Sequence, residues 1–122
     1  MIIVLDTSFL LLPGLQHVDV FLILKQAFPN AELCTTQSVV KELSKIAMGN
    51  TKKSRAARIA LTLIKQKNLK ILASPKALTV DDSLIAVKPD VLATLDEELV
   101  KKALKNGVKT LQLHNNKVVL KP

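Results

Sequence analysis

The 122-residue sequence has no tryptophan or tyrosine and only three phenylalanines. Stacking on aromatic rings is thereby excluded as the main grip on a nucleic acid, which leaves contact with the phosphate backbone as the mode to expect. A single cysteine, Cys34, permits no intrachain disulfide. That fits a reducing, cytoplasmic setting, and on a strand the thiol reads as a small core hydrophobe. The histidines are two, His17 near a turn and His114 near the C-terminal end. Neither has a partner at ligand or triad spacing, so both read as surface residues. No apolar run reaches the length of a membrane span, and Asp6 interrupts the N-terminal run before it reaches signal-peptide length. Internal repeats, low-complexity stretches and linkers are missing as well. Acid is the scarcer charge, with 10 Asp+Glu against 18 Lys+Arg, a net of +8.

What is present is a core. Apolar residues make up 48% of the chain, which at this length predicts one globular domain over residues 1–122. The basic excess is uneven: Lys41 to Lys76 holds ten basic residues and one acid, Glu42. Such a block suits a polyanionic partner, nucleic acid first, and equally a solvated surface. Lys52, Lys53, Arg55 and Arg58 crowd the first turns of a predicted helix. Cations there oppose the helix dipole, so a phosphate would relieve the conflict, and these four residues form the candidate RNA track.

Met1-Ile2-Ile3-Val4-Leu5 reads as a strand buried on both faces and ended by Asp6. Apolar residues continue to Leu12, where Pro13-Gly14 predicts a break. A helix restarts near Val18, with Val20, Phe21, Leu24, Ala27 and Phe28 on one face, and Pro29 stops it. A strand over 32–35 precedes a helix capped by Thr35 or Thr36, with Val39, Val40, Leu43, Ile46 and Ala47 inward. Gly49-Asn50 ends that helix, and the basic helix follows, burying Ala56, Ala57, Ile59, Ala60, Leu63 and Ile64. Strands are predicted over 69–73, 91–95 and 108–113, with a short helix opening at Thr79 and a longer one capped by Asp96 between them. Residues 117–120 fold back across Asn115-Asn116, since asparagine tolerates positive φ.

This order predicts a parallel sheet of about five strands between helical layers, with a C-terminal hairpin. In a doubly wound sheet the first and fourth strands are neighbours, so Asp6 and Asp96 leave adjacent strand ends. Glu42 falls roughly 40° beyond Ile46, at the border of its helix's apolar face. Asp82 and Asp81 stand in the first turn of the short helix. Each acid also has a plain structural role: Asp6 and Asp96 as caps, Asp82 in a capping box with Thr79, Glu42 paired with Lys41 or Lys45. Four carboxylates gathered at one sheet edge would repel without a cation, and hard oxygen donors suit Mg²⁺ or Mn²⁺.

Ile3-Val4-Leu5-Asp6-Thr7-Ser8, Val40-Lys41-Glu42-Leu43, Asp81-Asp82-Ser83-Leu84-Ile85-Ala86 and Leu92-Ala93-Thr94-Leu95-Asp96-Glu97-Glu98-Leu99 resemble, in order and spacing, the successive motifs of PIN-domain ribonucleases. The resemblance spans essentially the whole chain. It implies a three-layer α/β/α, Rossmann-like fold and metal-dependent endonucleolytic hydrolysis of RNA leaving a 5′-phosphate and a 3′-hydroxyl. Asp6, Glu42, Asp82 and Asp96 take the family's catalytic and metal-binding positions, Thr94 that of a threonine supporting the last acid, and Asp81 is the alternative to Asp82. The register of the following Ser-Leu-Ile-Ala favours Asp82. Residues 93–120 look closest to the archaeal and eukaryotic branch associated with ribosomal RNA processing, which implies a ribosome-assembly partner. VapC toxins, blocked by a separately encoded antitoxin, come next, and homodimers are common in the family. A non-catalytic RNA-binding or scaffold domain is the remaining reading. Haloacid-dehalogenase phosphotransfer is excluded because Ser8 stands where a second Asp is needed, and a response-regulator receiver because the acidic pair lies at Asp81-Asp82 and not after the first strand.

Overall fold

In a computed structural model, which describes residues 1–75 and 78–122, the strand Ile2–Leu5 (β1) lies at the centre of the sheet. Ile3, Val4 and Leu5 are fully buried, as an apolar strand covered on both faces must be. Glu32–Thr36 (β2) and Lys70–Leu72 (β3) extend the sheet on one side. Val91–Ala93 (β4), Lys109–His114 (β5) and Lys117–Lys121 (β6) extend it on the other. The order is β3-β2-β1-β4-β5-β6, parallel except for the antiparallel β5–β6 hairpin. Asn115 and Asn116 both take positive φ, 50° and 61°, in its turn. The reversal of strand order beside β1 puts β4 next to it, with Leu5 opposite Ala93.

Helices connect the strands in a three-layer α/β/α arrangement. Thr7–Leu10 (α1), Leu12–Gln16 (α2) and Val20–Ala27 (α3) link β1 to β2. Gln37–Ala47 (α4) and Lys52–Gln66 (α5) link β2 to β3. Val80–Ala86 (α6) precedes β4, and Glu97–Lys105 (α7) precedes β5. Caps are where hydroxyl and carboxylate side chains predict them: Thr36 accepts from Val39 N–H, Thr51 from Ser54 N–H, Thr79 from Asp82 N–H, and Asp96 from Glu98 and Leu99 N–H. Phe9, Leu24, Leu43, Leu84, Leu92, Leu99 and Leu111 fill the core without exposure, each contributing about 1.5–3 kcal/mol by burial. Cys34 is buried among them. Among the described residues no single helix is long and apolar enough to cross a membrane.

Several local expectations give way. Pro13-Gly14 does not break the chain but lies inside α2, Pro13 in its first turn, where a missing N–H is harmless. Gly14 is there for proximity: a Cβ on it would lie 2.5 Å from Ala56 Cα of α5. Ile59 and Ala27 are exposed rather than buried. Ile59 lies too far round α5 from Ala56, Ala57, Ala60 and Ile64, which form its inner stripe. β4 stops at Ala93, two residues early, because Leu95 N–H leaves the ladder for the Ser8 hydroxyl at 3.0 Å.

Candidate active site

The site is built outward from the end of β1. Asp6 N–H still pairs with Ala93 O at 2.9 Å, so the sheet fixes its backbone, and its side chain is only 5% exposed. One carboxylate oxygen, Oδ1, accepts from Thr7 N–H at 2.7 Å and caps α1. The other, Oδ2, accepts from the Thr94 hydroxyl at 2.8 Å and from the Ser8 hydroxyl at 3.2 Å. Ser8 Oγ also lies 3.2 Å from Thr94 Oγ1 and accepts from Leu95 N–H. Thr94 Oγ1 accepts from Asp96 N–H at 3.1 Å. Two hydroxyls thus stitch the ends of β1 and β4 together and hold Asp6 in one orientation.

Burial pushes the Asp6 carboxyl above its ordinary pKa, the bonds from Thr94, Thr7 and Ser8 pull the other way, and the charge of Asp81 adds to the rise. Asp81, at the start of α6, is also raised, first by burial and then by the charges of Asp96, Glu42 and Asp82, while Lys102 opposes. Asp81 therefore shares a field with Asp6, Glu42 and Asp96, one acid from each of four elements. Glu42 is half-buried on α4, at the border of its apolar face as its spacing predicts. Its expected pairing with Lys41 or Lys45 does not occur among the described residues. Asp96 is exposed, its Oδ1 occupied as the cap of α7.

The register of the motif favours Asp82 as the inward acid, and here the structure differs. Asp82 pairs with Lys102 of α7, and the ammonium holds its carboxyl below the ordinary pKa. The reason is the helical period. Leu84 and Ser83 face the core, Asp81 stands three residues before Leu84 at the edge of that face, and Asp82 is a further 100° round. That signal was present in the sequence, whereas the partner Lys102 was not legible there. Thr94 supports the first acid through its carboxylate and the last only through a backbone N–H. Ser8 is the residue the motif reading left without a task.

Of the expected RNA track, Lys52, Lys53 and Arg55 are exposed on the first turn of α5. Arg58 is engaged, donating to Ala47 O at 2.6 Å and Gly49 O at 3.0 Å and so capping the end of α4. Lys76, the last residue of the basic block, lies outside the described residues. His17 and His114 are exposed. A concavity of about 460 Å³ opens at the opposite edge of the sheet, beside Glu32, Lys67 and Lys70, away from the acids.

Among the described residues, no cation stands in ion-pair range of Asp6, Glu42, Asp81 or Asp96. Nor do three ligating side chains converge tightly enough to enclose an ion as they stand. This still fits magnesium-like ions, which keep several waters and bind through one or two carboxylates plus substrate phosphate rather than in a protein cage. The all-oxygen donor set has the same preference.

The family model described as a PIN like domain matches residues 3–116. Among solved structures, the PIN domain endonuclease Utp24 superposes with a TM-score of 0.80 at 24% identity, covering 98% of this chain and 90% of its own. A domain of a functionally unknown protein from Methanocaldococcus jannaschii gives 0.62 at 17% identity, covering 93% and 91%. VapBC2 from Rickettsia felis, bound to a DNA fragment from its promoter, gives 0.66 at 16% identity, covering 93% and 100%. Among curated proteins none matches the chain significantly.

Proposed function

The chain belongs to the PIN-like domain family, and from that premise we propose that it is a divalent-metal-dependent endoribonuclease that hydrolyses phosphodiester bonds in RNA processing. The observation that carries the reading is an acidic edge with no cation in ion-pair range among the described residues: Asp6, buried and held by three hydrogen bonds, in the field of Asp81, which in turn feels Glu42 and Asp96. Burying and gathering carboxylates costs stability unless a cation joins them.

Asp6, Glu42, Asp81 and Asp96 would hold Mg²⁺ or Mn²⁺. A bound ion supplies a lowered pKa for the attacking water and offsets negative charge on the phosphate. The chain's own part is orientation. Thr94 and Ser8 fix Asp6 so that it need not reorganise, and Asp96 is pinned at the start of α7. Attack by water with the 3′ oxygen as leaving group, which the family resemblance implies, leaves 5′-phosphate and 3′-hydroxyl ends. The processing role rests on the branch resemblance of residues 93–120. The VapC-type toxin role is the alternative within the family.

A non-catalytic RNA-binding module is the second reading, favoured by the exposed Lys52, Lys53 and Arg55 on the first turn of α5, which could hold RNA without the acids. The test is cleavage of a mixed structured RNA by the wild type and by Asp6→Asn, each with Mn²⁺ and with chelator. Cleavage by the wild type alone, only with metal and leaving 5′-phosphates, is the expected result. Binding without cleavage by either protein would install the second reading.

A further inference from the structure

Among the described residues one ion pair joins α6 to α7, between Asp82 and Lys102, and both side chains are partly open to water. Asp82 is fixed from its own side, since its N–H donates to the Thr79 hydroxyl at 3.1 Å in the first turn of α6. Asp81 precedes it directly, so the two Cα atoms lie about 3.8 Å apart. Lysine carries its ammonium on a flexible four-carbon stem, and on a helix that stem leans toward the N-terminus, which in α7 is capped by Asp96. Lys102 is thus held one residue away from Asp81, and the two groups already feel each other's charge.

Stability is a weak reason for the pair. Water screens an exposed ion pair, and ordering two side chains offsets much of what remains. Nor does Lys102 need a partner to complement the dipole of α7, because Lys105 sits in the same last turn and forms no ion pair among the described residues. What the pair does alter is the charge beside the acidic edge. A free ammonium there would neutralise Asp81 and stand where a divalent ion would bind. Paired with Asp82 it adds no net charge, and the four acids keep their own.

We infer that Asp82 is a positioning residue that holds Lys102 off the acidic edge, and that Lys102, once released, competes with the divalent ion for Asp81. The inference rests on the reading of that edge as an ion site. It gives Asp82 a task beside the site without making it a ligand: it acts on the ion only through the lysine.

The test is a thermal-melting titration with Mn²⁺ and no RNA, at low salt, of the wild type, Asp82→Asn, Lys102→Gln and Asp82→Asn/Lys102→Gln. The affinity for the ion is read from the concentration at which the melting temperature starts to climb. Asp82→Asn should need about 5-fold more Mn²⁺ than the wild type, the upper end of what an exposed pair supplies. Lys102→Gln and the double variant should need no more than the wild type, so that removing the lysine rescues the loss of the acid. A double variant as weak as Asp82→Asn overturns the inference and makes Asp82 itself a ligand, or the alignment of α6 on α7 the cause, with the ion site intact. Equal affinity in all four proteins overturns it as well. A wild type that Mn²⁺ does not stabilise overturns both the inference and the ion site. In chelator the four proteins should melt close together, which establishes that each is folded.

Discussion

Asp81 and Asp82 are adjacent in the chain and opposite in surroundings, one raised by burial and like charge, the other lowered by Lys102. Asp81→Asn should therefore abolish metal-dependent cleavage, and Asp82→Asn should leave most of it, with melting close to wild type. Cleavage lost with Asp82→Asn and kept with Asp81→Asn would restore the order that the motif register favours. The same shifts set a pH dependence of stability. Asp6 and Asp81 have raised folded values, so the native state binds more protons than the unfolded chain between the ordinary and raised pKa. Their contribution is full below the ordinary carboxylate value and is lost as pH rises through the folded value. With chelator present, the melting temperature of Asp6→Asn should gain on the wild type as pH rises from the ordinary carboxylate value through the raised one. A difference that does not change with pH would mean that burial does not strain the Asp6 carboxylate. Asp6, Asp81 and Asp96 were legible in the sequence because each closes a recognisable strand or opens a recognisable helix, and Glu42 because it borders the apolar face of α4. Ser8 was not, because its task depends on Leu95 and Thr94, 87 and 86 residues away.

Elements were read well where one period or one cap decides them and poorly where a neighbour does. β1 follows from its apolar run and α7 from Asp96 and its acidic first turn, and both are found as read. Pro13-Gly14 reads locally as a stop, but the demand at Gly14 comes from α5, whose Ala56 approaches too closely for any side chain. Small residues on both helices permit that crossing. Gly14→Ala should destabilise the fold by about 1–3 kcal/mol in denaturant titration, the usual cost of overfilling a packed contact. A neutral or stabilising effect would mean that α2 can shift outward freely, and the glycine would then need another reason. The early end of β4 has the same origin, since Leu95 gives its N–H to the Ser8 side chain of α1.

For the whole molecule, the informative quantity is where the +8 net charge is not. A basic chain has cations to spare, yet among the described residues none is in ion-pair range of Asp6, Glu42, Asp81 or Asp96. The lysine nearest in effect, Lys102, pairs with Asp82. If the edge binds a cation, as proposed, the ion would relieve the repulsion that these acids leave standing. Linkage makes this measurable without activity. An ion that binds only the folded state stabilises it by RT ln(1 + [L]/Kd), about 2.7 kcal/mol at a hundredfold excess over Kd. Mn²⁺ or Mg²⁺ should accordingly raise the wild-type melting temperature by several degrees in a concentration-dependent way. Asp6→Asn should lose most of that increment while melting at least as high as the wild type in chelator, because it removes the carboxylate that burial penalises. Ca²⁺, larger and less demanding in geometry, separates binding from chemistry if it stabilises without supporting cleavage. Equal stabilisation of wild type and Asp6→Asn by Mn²⁺ would place the ion elsewhere on the surface, and the acidic edge would then be a structural liability that the cores of β1 and β4 carry unaided.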